Sequence, residues 1–312
     1  MGWKVLITDG IEKEGAAIIN QKDQALDMKG ITPEDLLKIV PGVDAMIVRS
    51  RTKVTAEVLN AGKNLKVVGR MGVGVDNIDL NTAKSLDIRV VNTPVSTTLA
   101  VAELTMGFML DLVREIPFAD HGMKNGKWMK KELEGCELCH KTLGIIGYGN
   151  IGEAVGKRAQ AFDMTVLGYD PVRPSEQIRA TGAEPVNLEE LIERSDIITL
   201  HVPLIPATKH MINAETIARM KDGVRIICAA RGGVIDEPAM LEALNSGKVS
   251  GVALDVFEVE PPVDLALISH PHVIATPHIG AQTREAQLRA AIDIAHEVIN
   301  CLDGKPLRWK LV

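Results

Sequence analysis

Residues 142 to 152 read Thr142-Leu143-Gly144-Ile145-Ile146-Gly147-Tyr148-Gly149-Asn150-Ile151-Gly152. An apolar run of strand length is followed by the pattern Gly-x-Gly-x-x-Gly, at the point where a helix is predicted to begin. Gly147 permits a tight turn, Gly149 lets the backbone approach a pyrophosphate, and Gly152 lets the helix pack on the strand. The stretch therefore predicts a strand–turn–helix unit that binds a dinucleotide at the helix N-terminus, with Asn150 and Ile151 beside the phosphates.

A second predicted strand ends at Asp170, 18 residues after Gly152. A carboxylate at this position accepts hydrogen bonds from the adenosine ribose and repels a 2′-phosphate. Asp170 therefore favours NAD as the cofactor, while nearby Arg173 leaves tolerance of NADP open. The alternative is that the three glycines serve only a tight turn between strand and helix.

Short apolar runs alternate with turns and helical stretches along all 312 residues. This alternation predicts parallel α/β units rather than an all-α or all-β fold. The first block of strand candidates is Val5–Thr8, Ala45–Val48, Lys66–Gly69 and Arg89–Val91. The second block is Leu143–Gly147, Thr165–Asp170, Ile197–His201, Arg225–Ala229, Gly251–Asp255 and Val273–Ala275.

Three predicted helices lie between or after these strands, and two of them indicate how the chain divides into domains. Thr32 is a predicted N-cap, with Pro33 at the first helical position. The stretch Thr98–Leu112 is almost continuously apolar, so a helix there is expected to be buried between domains or against a second subunit. A last helix, Thr283–Leu302, returns the chain to the first block. We therefore expect one domain from residues 1–96 and 283–312, with a second, 97–282, inserted into it.

Composition excludes several classes of protein. The chain is 46% hydrophobic and 24% charged, which is typical of a folded globular protein. Its net charge of −6 and its 3% aromatic content disfavour nucleic acid and anionic membranes as partners. The N-terminal apolar run is too short for a signal peptide, and four cysteines are too few for a disulfide scaffold. We expect a cytoplasmic protein without membrane attachment.

Three further segments place reactive residue types just after predicted strands, where parallel sheets bind ligands. They are Ala229-Ala230-Arg231-Gly232-Gly233, Leu254-Asp255-Val256-Phe257-Glu258-Val259-Glu260-Pro261-Pro262 and Ala275-Thr276-Pro277-His278-Ile279-Gly280. Hydride transfer to a dinucleotide needs a general acid/base and a cationic anchor for the substrate. His278 and Arg231 are residue types suited to those tasks.

Together with residues 48–55 and 69–77, these segments resemble the D-isomer-specific 2-hydroxyacid dehydrogenases over nearly the whole chain. The resemblance implies two doubly wound parallel-sheet domains, a Rossmann-type NAD domain inserted into a flavodoxin-like substrate domain. It implies Arg231 as substrate anchor, His278 as acid/base and Glu260 as its partner. Asp255 is then expected to meet the nicotinamide carboxamide, and the other residues of the cofactor cleft are Val202, Pro203, Ala229 and Gly280.

The resemblance is greatest to members that oxidise D-3-phosphoglycerate with NAD, the first step of serine biosynthesis, and it also implies a homodimer or a higher oligomer. Arg49 and Arg70 match positions that contact the phosphate-bearing substrate. Val73 and Gly74 offer backbone amides to its carboxylate, and Lys130 matches a basic position that reaches a neighbouring subunit's site.

One departure from the family pattern leaves the identity of the substrate undecided. After Pro94 the chain has Val95-Ser96-Thr97-Thr98, where the family usually has Gly and Asn. We therefore expect hydroxyls in place of amides as phosphate ligands, and reduction of hydroxypyruvate or glyoxylate is the alternative activity. An NAD-sensing, corepressor-like binding protein is the alternative of another class.

Two other features are given little functional weight. Cys136-Glu137-Leu138-Cys139-His140 matches the c-type haem attachment pattern, but it lies directly before the first strand of the nucleotide fold. No metal site is predicted, and a redox-active dithiol is the alternative for the two cysteines. Because the chain ends just after the return helix, we expect no C-terminal regulatory domain.

Overall fold

The computed structural model describes residues 2–312, which form two compact units. Unit 1 comprises Met1–Thr98 and Ala281–Val312, and unit 2 comprises Leu99–Gly280. Each boundary lies two residues from the one expected from the sequence.

The strands are short and follow one another in both units. They are β1 (Lys4–Ile7), β2 (Gln24–Asp27), β3 (Ala45–Val48), β4 (Val67–Arg70), β5 (Arg89–Asn92), β6 (Thr142–Ile146), β7 (Thr165–Tyr169), β8 (Glu184–Pro185), β9 (Ile197–Leu200), β10 (Val224–Cys228), β11 (Val249–Leu254) and β12 (Val273–Ala275).

Helices connect most of these strands, and a 3₁₀ turn at Val40–Gly42 follows the second helix. They are α1 (Lys13–Ile19), α2 (Pro33–Ile39), α3 (Ala56–Ala61), α4 (Leu80–Ser85), α5 (Thr98–Arg114), α6 (Ile116–Lys124), α7 (Asn150–Gln160), α8 (Ser175–Arg179), α9 (Leu188–Arg194), α10 (Ala214–Ala218), α11 (Glu237–Asn245) and α12 (Arg284–Leu302).

Unit 1 contains a five-stranded sheet in the order β2-β1-β3-β4-β5, with every neighbouring pair parallel. This is the flavodoxin-like doubly wound order. One face packs a core around Leu6, Met46 and Val68, and the other packs Val5 and Ile47 against α12. The Thr32 side chain accepts a hydrogen bond from Asp35 N at 3.2 Å, as expected of the predicted N-cap.

Unit 2 contains a seven-stranded sheet in the order β12-β11-β10-β9-β6-β7-β8, again parallel throughout. The strand order reverses between β6 and β9, so the crevice beyond their carboxyl ends is where a Rossmann sheet binds its ligand. The predicted fold class is confirmed for both sheets.

Helix α5 contributes to the core of unit 2. Its buried residues Met106, Phe108 and Met109 pack with Leu143 and Ile145, while Leu99 is 47% exposed. The expected contact of this helix with another domain or a second subunit stays a prediction. Among residues 2–312, no helix combines the length and the apolar content needed to cross a membrane.

Candidate active site

The glycine loop joins β6 to α7 in unit 2 and has the geometry of a phosphate cradle. Gly147 has φ +90°, and a Cβ atom there would lie 2.5 Å from His201 O. A Cβ on Gly152 would lie 2.4 Å from Gly147 O, whereas a Cβ on Gly149 would have no described atom within 4 Å. No side chain caps the N-terminus of α7, where Asn150 and Ile151 are the first residues, so its amides are left for an anion. These residues fit the pyrophosphate of a dinucleotide.

Asp170 follows β7 beside this loop, and its Oδ1 accepts hydrogen bonds from Val172 N and Arg173 N. The Arg173 guanidinium is engaged within unit 2: Nη2 lies 2.5 Å from Glu153 Oε2, and Nη1 donates to Tyr148 O at 2.9 Å. Because Arg173 already has these partners, it does not offset the repulsion between Asp170 and a 2′-phosphate. The arrangement therefore favours NAD over NADP.

His201, Val202 and Pro203 follow β9 on the other side of the crevice. Val202 is largely buried, as is Ala229 after β10, while Pro203 is exposed. His201 Nε2 lies 3.1 Å from Thr199 Oγ1, and its Nδ1 is buried with no hydrogen-bond partner among residues 2–312. Burial lowers the pKa of His201 to about 4, so its ring is neutral at physiological pH.

His278 and Glu260 form a directly bonded pair in unit 2. His278 Nδ1 lies 2.7 Å from Glu260 Oε2, and the other carboxylate oxygen accepts a hydrogen bond from Phe257 N at 3.2 Å. His278 has φ +53° in the turn after β12. Because the carboxylate accepts the Nδ1 proton, Nε2 is the ring atom left for proton exchange with a ligand. The side chains are 46% and 38% exposed, so a small molecule can reach them.

Asp255 is almost fully buried at the end of β11 and supports the His278 turn. Its Oδ1 accepts hydrogen bonds from Thr276 Oγ1 at 2.6 Å and Ile279 N at 2.7 Å, and its Oδ2 accepts one from Gly280 N at 2.7 Å. Sequence reasoning missed this supporting role. The predicted contact of Asp255 with an amide of the cofactor stays a prediction, since the side chain is 1% exposed.

Arg231 lies in the loop after β10, and its Nη1 donates to Ala230 O at 2.6 Å. At Gly232 this loop packs against the loop that carries Glu260. A Cβ on Gly232 would lie only 1.8 Å from Phe257 O. A side chain at position 232 would therefore separate the two loops. Burial raises the pKa of the Cys228 thiol beneath them to about 11, which keeps it protonated and unreactive at neutral pH.

The remaining predicted substrate residues lie in unit 1, except for Lys130. Arg49 follows β3, and its Nη2 contacts both oxygens of Glu12 at 3.1 Å, while its buried Nε has no hydrogen-bond partner among the described residues. Arg70 ends β4 and donates to Met71 O. The amides of Val73 and Gly74 make no hydrogen bond to another residue within 2–312.

Lys130 is exposed in the loop after α6 of unit 2, and the structure does not bring it to His278, Glu260 or Arg231 by any hydrogen bond or ion pair among residues 2–312. Glu12 is the contact that sequence reasoning missed. No motif marks it, because its pairing with Arg49 depends on how β1 and β3 lie side by side.

The cysteines are free thiols, and Cys139 is exposed. Within the described part of the chain, no three His, Cys, Asp or Glu side chains are grouped as a metal site requires.

Known proteins similar to this chain share both its sequence and its fold. The family described as D-isomer specific 2-hydroxyacid dehydrogenase, NAD binding domain, matches residues 106–280. A hydroxypyruvate reductase of Thermotoga maritima is 48% identical over 95% of this chain and 97% of its own length. A D-3-phosphoglycerate dehydrogenase of Methanocaldococcus jannaschii is 47% identical over 97% of this chain, which spans only 58% of that relative.

A crystal structure of D-lactate dehydrogenase from Aquifex aeolicus, complexed with NAD and lactic acid, superposes with a TM-score of 0.85 at 32% identity and covers 96% of both chains. Sequence, fold and the glycine cradle lead to one conclusion about cofactor and chemistry. The chain belongs to the D-isomer-specific 2-hydroxyacid dehydrogenase family and is an NAD-dependent oxidoreductase of small 2-hydroxy acids.

Proposed function

We propose that the chain reduces a short, unphosphorylated 2-oxo acid, such as hydroxypyruvate or glyoxylate, with NADH. The observation that carries this proposal is the pair between Arg49 and Glu12, in which one guanidinium nitrogen contacts both carboxylate oxygens. Arg49 matches a position that contacts substrate phosphate in enzymes of this type. A phosphate at Arg49 has to compete with Glu12 and is repelled by it, so the pair favours a substrate with one negative charge.

The loop after β5 supports the same substrate class. The Ser96 hydroxyl donates to Asp293 Oδ2 at 2.7 Å, and both Ser96 and Thr97 are buried. The Ser96 and Thr97 hydroxyls are therefore engaged or covered within unit 1, whereas Thr98 Oγ1 has no hydrogen-bond partner among residues 2–312. The similarity to a hydroxypyruvate reductase along nearly its whole length agrees with this substrate class.

The residues of unit 2 have distinct proposed roles. Bound NADH supplies the hydride to C2 of the substrate. Protonated His278 gives a proton from Nε2 to the carbonyl oxygen, and Glu260 stabilises the cationic ring and fixes its tautomer. Arg231 holds the substrate carboxylate and polarises the carbonyl. In the oxidative direction His278 takes the hydroxyl proton back.

Oxidation of D-3-phosphoglycerate, with a place in serine biosynthesis, is the second candidate. The similarity to the D-3-phosphoglycerate dehydrogenase of M. jannaschii favours this activity. The excess of basic residues from Arg49 to Arg70, six against one acidic residue, favours it as well. Within this run Arg51 is already paired with Asp9, with Nη2 and Oδ1 2.8 Å apart.

The test is a turnover assay that follows NADH absorbance. Purified protein is given NADH with hydroxypyruvate or glyoxylate, and separately NAD with D-3-phosphoglycerate at alkaline pH. We expect rapid NADH consumption with at least one of the two unphosphorylated acids. Turnover of D-3-phosphoglycerate alone would establish the second candidate. NADH binding without turnover of any acid would instead favour a binding protein.

We also infer a cytoplasmic setting and a homodimer. Four free cysteines support a reducing compartment. Exposed apolar side chains at Ile116, Phe118, Met123 and Trp128 of unit 2 support an interface between subunits. Sedimentation equilibrium measures the assembly, and a monomer at micromolar concentration would contradict it.

A further inference from the structure

The loop that carries Glu260 is held by contacts within itself and with its neighbours in unit 2. Phe257 N donates to Glu260 Oε1, and Glu258 N donates to Glu237 Oε1 at 2.7 Å. The loop after β10 lies directly against it, because a Cβ on Gly232 would be only 1.8 Å from Phe257 O. The position of the Glu260 carboxylate therefore depends on the residues just before it.

His210 contacts this loop from a distant part of the sequence. It lies in the segment after β9, where it has φ +49° and donates from its backbone N to Gly233 O at 2.8 Å. Its Nε2 lies 2.8 Å from Glu258 Oε1. The two side chains are 36% and 34% exposed, so the bond is partly shielded from water. The His210–Glu258 bond thus ties the segment that follows Val202 and Pro203 to the loop of Glu260.

We propose that the His210–Glu258 bond positions Glu260, which makes His210 a positioning residue for the Glu260–His278 pair. Glu258 is two residues from Glu260, so a shift of its side chain moves the backbone that sets the Glu260 carboxylate. The inference rests on the proposed roles of Glu260 and His278 but not on which 2-hydroxy acid is the substrate.

Other charged groups surround His210. Asp236 Oδ2 lies 4.0 Å from its Nδ1. Glu237 follows Asp236 in the sequence. Burial raises the pKa of the Glu237 carboxyl, and the charges of Glu258 and Asp264 raise it further by smaller amounts. Because the Glu258 carboxylate accepts hydrogen bonds, Nε2 is the donor in the His210–Glu258 bond.

The test compares His210→Ala with His210→Gln, which keeps a side-chain donor of similar reach. For His210→Ala we expect kcat for reduction to fall about tenfold, since small displacements of catalytic groups are costly. The Kd of NADH, measured by fluorescence titration, stays within about twofold. His210→Gln recovers most of kcat, and His272→Ala, an exposed histidine outside the site, behaves as wild type.

Two further variants separate the possible failures. Glu260→Gln reports whether the catalytic pair is needed for turnover. In the double variant Glu258→Ala/His210→Ala, kcat is expected to be no lower than in either single variant. If His210→Ala matches wild type while Glu260→Gln is impaired, the positioning role is wrong. If Glu260→Gln also matches wild type, the catalytic assignment fails instead. A fall in kcat for His210→Ala with no recovery in His210→Gln contradicts the proposal as well.

Discussion

At the scale of single residues, the His278 ring depends on two neighbours. Glu260 accepts from Nδ1 at 2.7 Å, and Asp255 holds the following turn through Ile279 N and Gly280 N. The ring is therefore fixed before a substrate arrives, which suits general acid/base chemistry.

Substitution of His278 tests its role in proton transfer. We expect His278→Gln to lower kcat by about 10²–10⁴-fold, because no other group supplies the proton at that position. The NADH dissociation constant, measured by fluorescence titration, stays within about twofold of wild type. Arg231→Ala serves as a companion variant with the same expected pattern. Loss of NADH binding in both variants would contradict the assigned roles.

His201 predicts a pH-dependent stability. Its pKa is lowered from 6.5 to about 4 in the folded protein, so below pH 6.5 the unfolded chain binds the proton more readily. The stabilisation is fully present above pH 6.5 and is lost as the pH falls toward 4, by up to about 3 kcal/mol.

The measurement is urea unfolding at pH 7 and at pH 4.5, for wild type and His201→Gln. Both proteins lose stability in acid as carboxylates titrate, but the loss is expected to be smaller in the variant. Equal losses in the two proteins would show that His201 does not titrate differently on unfolding.

Glu12 is expected to control selectivity for charge. In Glu12→Gln, Arg49 loses its ionic partner and the negative charge beside it, so kcat/KM for 3-phosphohydroxypyruvate is predicted to rise about tenfold. The kcat/KM for hydroxypyruvate is predicted to change less than about threefold. Glu34→Gln removes the same charge at an exposed position of α2 and serves as the matched control. Equal effects of the two substitutions would mean that only net charge matters.

At the scale of elements, two glycines in the turn from β6 to α7 are predicted to have different roles, one in cofactor binding and the other in stability. A Cβ on Gly152 would collide with Gly147 O, whereas a Cβ on Gly149 meets no described atom within 4 Å. Gly149→Ala is therefore predicted to keep the melting temperature of wild type but to weaken NAD binding at least about tenfold, since its methyl group occupies space that a phosphate approaches. Gly152→Ala is predicted to lower the melting temperature itself. Calorimetry and NADH titration of both variants check this contrast, and normal NAD binding by Gly149→Ala would contradict the cradle.

The same scale shows what the sequence could predict. Buried central strands such as β3 are continuous apolar runs, and β3 was predicted with the bounds that the structure has. The edge strand β12 was also predicted with its observed bounds. The edge strands β2 and β8 were missed, because Gln24–Asp27 is half polar and Glu184–Pro185 has two residues. Neither segment has the continuous apolar run or the apolar–polar alternation from which the other strands were predicted.

Site residues divide in a similar way. The glycine loop and the segments with Arg231, Glu260 and His278 are local patterns, so sequence reasoning found them. Glu12 and His210 act through partners 37 and 48 residues away, at Arg49 and Glu258. No pattern within one chain segment reports such pairs, and only the folded sheets bring them together.

At the scale of the whole molecule, a net charge of −6 opposes the approach of a phosphorylated acid more than that of a singly charged one. Local positive charge has to overcome this field, and two of the arginines in unit 1 are already paired with carboxylates. Arg49 is paired with Glu12, and Arg51 with Asp9. Long-range and local electrostatics therefore favour the same, less charged substrate.

The central claim is tested most directly by one ratio, kcat/KM for hydroxypyruvate divided by kcat/KM for 3-phosphohydroxypyruvate. It is measured on the wild-type protein with saturating NADH at about 0.15 M salt, where long-range effects are screened. We predict a ratio of at least about ten, which corresponds to about 1.4 kcal/mol of selectivity. A ratio of one or below would contradict the assignment and establish a phosphorylated substrate in its place.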